Sequence, residues 1–183
     1  MKKIILIAAT LGIFFTSSAQ KYMTRSAQVS FFSSTALENI EAINNEVAAV
    51  YDAGTGDIVI IVPIKSFKFD RALMQEHFNE NYLESDQFPK ADFKGKIENA
   101  AAINYSKDGS TPVKAVGTMT MHGVSQAITV PGTLTVKNGS LTFKAVFKVK
   151  NKDYKIVIPS VAANKVAEVV EITVNSLLAP LKK

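Results

Sequence analysis

The sequence predicts an all-β fold, an antiparallel barrel of about eight strands with one short helix packed against it. Three observations lead there. Apolar and polar residues alternate along most of the chain beyond residue 20. Turn residues separate the alternating runs at fairly regular spacing. One segment, residues 71–82, switches to the helical period.

The elements follow in order. Two early strands are expected near residues 21–25 and 28–33. Residues 47–51 and 58–69 flank the stretch DAGTGD at 52–57, which reads as a hairpin. Its Gly54-Thr55-Gly56 is turn chemistry, because glycine reaches positive φ without steric cost. Residues 58–62 (IVIIV) are apolar on both parities, so that strand wants cover outside the barrel as well as a core inside. The helix that follows is the candidate cover. Met74, Phe78 and Tyr82 recur every four residues with Leu73 and His77 beside them, giving about three amphipathic turns. Asp70 is the expected N-cap, and Pro89 lies beyond the end.

A shorter strand at 92–99 leads through a polar loop around 107–110 to a strand at 113–121. His122-Gly123 then turns the chain. Residues 128–136 and 141–150 flank Asn138-Gly139, a dipeptide that favours a two-residue hairpin because both residues tolerate positive φ. Within 141–150 the apolar residues hold the odd positions and Lys144, Lys148 and Lys150 the even ones. Such a strand buries one face and wets the other. A weak helical turn is expected near 161–165. The last strand, 166–178, carries Val170, Ile172 and Val174 on one parity.

The N-terminus reads differently. Lys2 and Lys3 precede an unbroken apolar run over residues 4–15, followed by TSSAQ. That is the pattern of a cleavable secretory signal peptide, residues 1–19, with residues 20–183 as one domain. The apolar run is too short to span a bilayer, which takes about 20 residues, and no later run is longer. The expected product is therefore exported, periplasmic or secreted. The chain has no Cys, which excludes disulfides, thiolate chemistry and a lipoprotein anchor. Its formal net charge is +5, of which Lys2 and Lys3 supply two. So mild a charge gives little reason to expect a nucleic-acid partner.

Known catalytic and nucleotide-binding motifs are absent: there is no GxSxG, HExxH, Walker loop, or GxGxxG between a strand and a helix. His77 and His122, the only two histidines, do not have the spacing of a zinc pair. No metal or cofactor is expected. Glu76, Glu80, Glu84 and Asp86 form a local acidic face without a visible acid–base partnership. The lysines of 144–155 read as a wet strand face, with a basic rim for an anionic head group as the sharper alternative. The more telling feature is the set of Phe and Met residues on the strands and helix. In an eight-stranded barrel these either fill the interior or line a space for one small ligand.

Two stretches resemble a known family. LMQEHFNENYLESDQFPKADFKG at 73–95 is similar to the signature of the YceI-like family, a His-bearing helix followed by Ser-Asp, Phe-Pro and a Phe-led strand. TMTMHGVS at 118–125 resembles its second marker, a strand ending in His-Gly-Val-Thr. The front of the domain departs from the family pattern, with NIEAINN at 39–45 where a longer strand is usual. The resemblance implies a lipocalin-like barrel, exported to the periplasm, that holds an isoprenoid or similar fatty amphiphile inside. Strand parity and helix face then nominate Phe67, Phe69, Met74, Phe78, Tyr82, Phe93, Met119 and Met121 as ligand contacts, with no catalytic residues. Two alternatives stay open. One is a filled-core stress-response or interaction module; the other is a lipid-modifying enzyme using His77 or His122.

Overall fold

The computed structural model describes residues 20–181, so the expected leader at 1–19 lies outside the described residues. Nine antiparallel strands follow one another: β1 (Lys21–Ser34), β2 (Asn39–Asp52), β3 (Asp57–Pro63), β4 (Lys68–Phe69), β5 (Lys90–Ile97), β6 (Gly109–Met121), β7 (Val124–Lys137), β8 (Ser140–Lys150) and β9 (Val169–Pro180). Their order is β1-β9-β8-β7-β6-β5-β3-β2-β4 in one sheet, and β1 also pairs with β2. That last pairing closes the barrel, with eight long strands in the wall and the two-residue β4 appended to β2. Closure removes the sheet edges that would otherwise invite intermolecular pairing.

Local chemistry explains the turns. Asn138 and Gly139 sit at φ 49° and 73°, and His122 and Gly123 at 51° and 72°. Both pairs have the doubly positive φ that matches the twist of two-residue hairpins. In the β2–β3 hairpin the Asp52 carboxylate accepts the backbone N–H groups of Gly54 and Thr55, and Gly56 takes φ 79°. The two early strands expected separately are one strand, β1, whose pairing with β2 shifts register between Thr24 and Val29. The bulge lets one strand bend round the wall instead of ending.

β2 carries the unusual stretch at 39–45. It pairs with β3 through residues 48–51 and with β4 only through Ala42 and Ile43. Asn44, fully buried between these two pairings, donates from Nδ2 to the Pro63 carbonyl at 2.7 Å and accepts the Glu46 N–H at 2.8 Å. It satisfies the backbone where the ladder is interrupted.

The helical segment differs from a regular three-turn helix. α1 (Ala72–His77) continues as a π-helical turn, Phe78–Tyr82, and the Leu83 N–H bonds to the Phe78 carbonyl at 2.9 Å. Asp70 is not the cap: Arg71 holds the N-cap position in extended conformation, without a side-chain capping bond. Nor does the segment cover the outside of β3, where Ile61 remains exposed. It lies at one end of the barrel and turns Phe78 inward. The Phe78 ring centre is 5.4 Å from Phe31, 5.5 Å from Phe67 and 5.0 Å from Phe69. The weak helical turn expected near 161–165 is a 3-10 turn at Ser160–Ala162.

The end of the barrel away from the helix is filled. Tyr22, Tyr51 and Tyr105 cluster there with ring centres 6.3–6.5 Å apart, among Val113, Leu134, Val136, Leu141 and Leu178. Tyr51 donates to the Tyr105 hydroxyl at 2.6 Å, and Tyr105 donates to the Ala100 carbonyl. Burial raises the pKa of Tyr22, Tyr51, Tyr105 and Tyr154 above the ordinary 10.0. Above about pH 10 the unfolded chain releases phenolic protons that the folded chain keeps, so stability falls as pH rises. Thermal unfolding followed from pH 8 to 11 should show Tm falling above pH 10, and Tyr51→Phe should flatten that fall.

Close strand contact at the middle of the wall depends on glycine. A Cβ on Gly117 would lie 2.3 Å from the Lys94 carbonyl oxygen, and one on Gly95 2.6 Å from the Phe93 ring. These cross-strand partners let the Phe93 ring fold over the sheet. Gly117→Ala is expected to cost about 1–3 kcal/mol through forced backbone displacement, measurable by urea unfolding.

Candidate functional site

From the middle of the barrel to the helix end, the interior opens into a cavity of about 580 Å³. Its deep wall is built by inward residues of the strands, among them Ile58, Ala115, Val130, Phe143, Ala145 and Val174. Small residues alternate with large ones here, and Ala115 and Ala145 leave room where a larger aliphatic chain would close it. The interior is thus packed at one end and hollow at the other. The volume falls in the range of small-molecule sites.

All eight residues nominated from the sequence, Phe67, Phe69, Met74, Phe78, Tyr82, Phe93, Met119 and Met121, lie in the cavity wall. Strand parity explains the strand members: Phe93 and Met119 are direct cross-strand partners pointing the same way. Helical spacing explains Met74, Phe78 and Tyr82, which line the cavity together from α1 and the π turn. Sequence reading missed the polar members at the opening. Arg71 and Glu38 form an ion pair that ties the β1–β2 turn to the start of α1. Lys165 stands on the segment before β9, and Asn81 and Asn151 also line the wall. No periodic pattern marks these residues, since they sit on loops brought together by closure. The lysines of β8 are placed elsewhere: Lys144, Lys148 and Lys150 are exposed on the outer face, as their parity implies.

The two histidines have different surroundings. His77 is exposed at the opening. His122 is held in a structural hub outside the cavity wall. Its Nδ1 donates to the Tyr154 carbonyl at 3.1 Å, and its Nε2 lies 2.6 Å from Glu84 Oε2. The Phe88 ring packs edge-on at 4.6 Å between centres. Glu84, His122 and Lys155, which follows Tyr154, all adopt left-handed backbone at φ 43°, 51° and 56°. Three non-glycine residues in that region meeting at one point is backbone strain that the surrounding contacts must hold. Below the hub, Ile64, Leu83, Val149, Tyr154 and Ile156 form a second apolar cluster. The cavity opens between α1, the β1–β2 turn and residues 159–166.

Among the described residues no group of three or more His, Asp or Glu side chains is placed to hold a metal ion, and no helix is long and apolar enough to cross a membrane. His122→Asn keeps a residue that accepts left-handed backbone while removing the imidazole. It should destabilise the fold by about 1–3 kcal/mol, and hydrogen exchange should speed up first in residues 83–89.

Comparison with known proteins agrees with this architecture. The family model described as a YceI-like domain matches residues 17–177. No curated protein sequence is significantly similar. Among solved structures, a polyisoprenoid binding domain from Saccharophagus degradans, implicated in plant cell wall breakdown, is 12% identical with a TM-score of 0.79, over 90% of this chain and all (100%) of that one. Burkholderia cenocepacia BcnA is 19% identical with a TM-score of 0.70, over 84% of this chain and 96% of that one. A Campylobacter jejuni YCEI protein is 15% identical with a TM-score of 0.53, with full (100%) coverage of both chains.

Proposed function

Because the chain belongs to the YceI-like domain family, and because its barrel is hollow at one end, we propose that it is a binding protein for an isoprenoid or similar amphiphilic lipid. The tail lies in the cavity and the polar end rests at the opening. The single observation that carries this reading is the continuous cavity of about 580 Å³, walled by Phe, Met, Ile, Val and Ala side chains. Its charged groups are gathered near one end. An apolar chain gains burial along the whole wall, at about 25 cal/mol per Å² removed from water. Its head group leaves few wall dipoles unpaired.

The name of the Saccharophagus degradans neighbour, a polyisoprenoid binding domain, supports the choice of ligand class. The Phe and Met side chains suit it physically: flat rings and flexible thioethers adapt to a branched chain. An enzyme reading gains less support. His122 spends both ring nitrogens on structural contacts, and His77 faces water at the rim. We also propose export, on the strength of the leader-like sequence of residues 1–19.

Native mass spectrometry of protein purified from its own cell envelope, followed by solvent extraction, tests the reading. A one-to-one adduct with a long prenyl or acyl chain is the expected result. Ala145→Phe, which fills the deep wall, and Phe93→Asp, which places a charge in it, should both lose the adduct while retaining the barrel's circular dichroism. Equal retention in a folded Ala145→Phe protein would show that the ligand sits elsewhere. N-terminal sequencing of the purified protein reports whether processing occurs after Ala19.

A further inference from the structure

The β7–β8 hairpin is zipped over only part of its length. Its ladder runs from Lys137 opposite Ser140, beside the turn, to Gly132 opposite Ala145, and stops there. Yet β7 begins at Val124 and β8 continues to Lys150. Each strand stays paired on its other side, β7 with β6 as far as Val124 and β8 with β9 as far as Lys150. The wall therefore has a seam, with residues 124–131 of β7 on one side and 146–150 of β8 on the other.

The residues explain where the ladder ends. In antiparallel strands the backbone groups of every second residue face the same neighbour. Lys137 flanks the two-residue turn, so Thr135, Thr133 and Pro131 present their backbone to β8 as it does. Pro131 has no N–H, and the next pair, with Val146, loses its donor. Just before that point the strands are in close contact: a Cβ on Gly132 would lie 2.7 Å from the Lys144 carbonyl oxygen. The interrupted pairing of β2 differs, because the buried Asn44 side chain and β4 fill it.

Two voids meet at the seam. On its outer side lies a slot of about 190 Å³, with Gln126, Lys148, Lys150 and Asp153 in its wall. Ile128 and Val149 line both this slot and the large cavity. Two aliphatic side chains thus stand between the cavity and the outside. The 3-10 turn Asn151–Tyr154 touches both strands and is held by two side chains. Gln126 Nε2 donates to the Asp153 carbonyl at 2.9 Å, and His122 Nδ1 to the Tyr154 carbonyl at 3.1 Å. Parting a fully paired stretch of wall breaks a row of backbone hydrogen bonds. Parting the seam breaks these side-chain bonds and separates Ile128 from Val149.

We infer that the seam is a side gate of the cavity. β7 and β8 part beyond Gly132, the Asn151–Tyr154 turn lifts, and the ligand passes through the wall instead of threading end-first through the opening beside α1. The inference rests on the lipid-binding reading above and adds the route of exchange.

The chain has no Cys, so introduced cysteine pairs can be cross-linked selectively. Extending the ladder register places Thr129 opposite Lys148. Both face outward and neither lines the cavity. T129C/K148C joined by a short bis-maleimide clamps the seam. T133C/K144C, opposite each other within the ladder, clamps wall that is already zipped. The protein, as the producing cell matures it, is offered detergent-dispersed geranylgeraniol and then excess phosphatidylcholine vesicles. Native mass spectrometry follows uptake and release in time. The seam clamp should slow both by roughly tenfold or more. The ladder clamp and T129C/K148C without cross-linker should keep wild-type rates. Gln126→Ala removes one bond to the turn and should speed release about fivefold, the worth of one net hydrogen bond.

Wild-type rates in the cross-linked T129C/K148C protein would overturn the gate. Equal slowing by both clamps would overturn it too, since that reports stiffening of the whole barrel. Uptake at unchanged rates removes only the gate, whereas no uptake by the wild type removes the lipid-binding reading and the gate with it.

Discussion

Pairing of β1 with β2 is the constraint on which the rest of the structure depends. It converts an open sheet into a closed wall, and closure limits what the interior can hold. An eight-stranded barrel is wide enough to be filled by side chains or to leave room for one small guest. This chain does both, at opposite ends. The tyrosine cluster and large aliphatic residues fill one half. At the other, alanines and glycine-assisted close contacts hold the rings back against the wall.

The helical segment then decides how the hollow half is bounded. A regular helix continuing through residue 82 would place its side chains at four-residue intervals on one stripe. Met74, Phe78 and Tyr82 hold to that stripe and line the cavity, and Leu83, just past the π turn at Phe78–Tyr82, lies in both the cavity wall and the second cluster. The chain leaves the π turn at Glu84 in left-handed backbone, directly against His122. Three connections at the helix end are thereby joined: the loop after α1, the β6–β7 turn and the turn carrying Tyr154. The remaining connections frame the opening.

Much of this was legible in the residues. Period-two alternation identified the inward faces of β6, β8 and β9, and Asn138-Gly139 marked its hairpin, because these depend on neighbours in sequence. The wall residues Phe93, Met119 and Met121 followed from parity alone. Other features were not legible. The cap at Arg71 and the joining of two early strands into β1 depend on how distant strands bend. The expectation that the helix covers the outside of β3 treated two-sided apolarity as evidence of external packing. The outer residue Ile61 instead faces solvent, and the helix is drawn to the barrel end by Phe31, Phe67 and Phe69.

The two stretches with family resemblance show where the boundary falls. The sequence by itself determined that they exist, that the chain is all-β, and which side chains point inward, because alternation and turn preference act over a few residues. Only the tertiary structure decided that Glu84 and Phe88 from the first stretch clasp His122 from the second. It also decided that the barrel is filled at one end and open at the other, and that Arg71, Glu38 and Lys165 meet at the opening. These are distances between residues far apart in the chain. They are set by closure of the wall and by the volume its side chains leave, which no local pattern encodes.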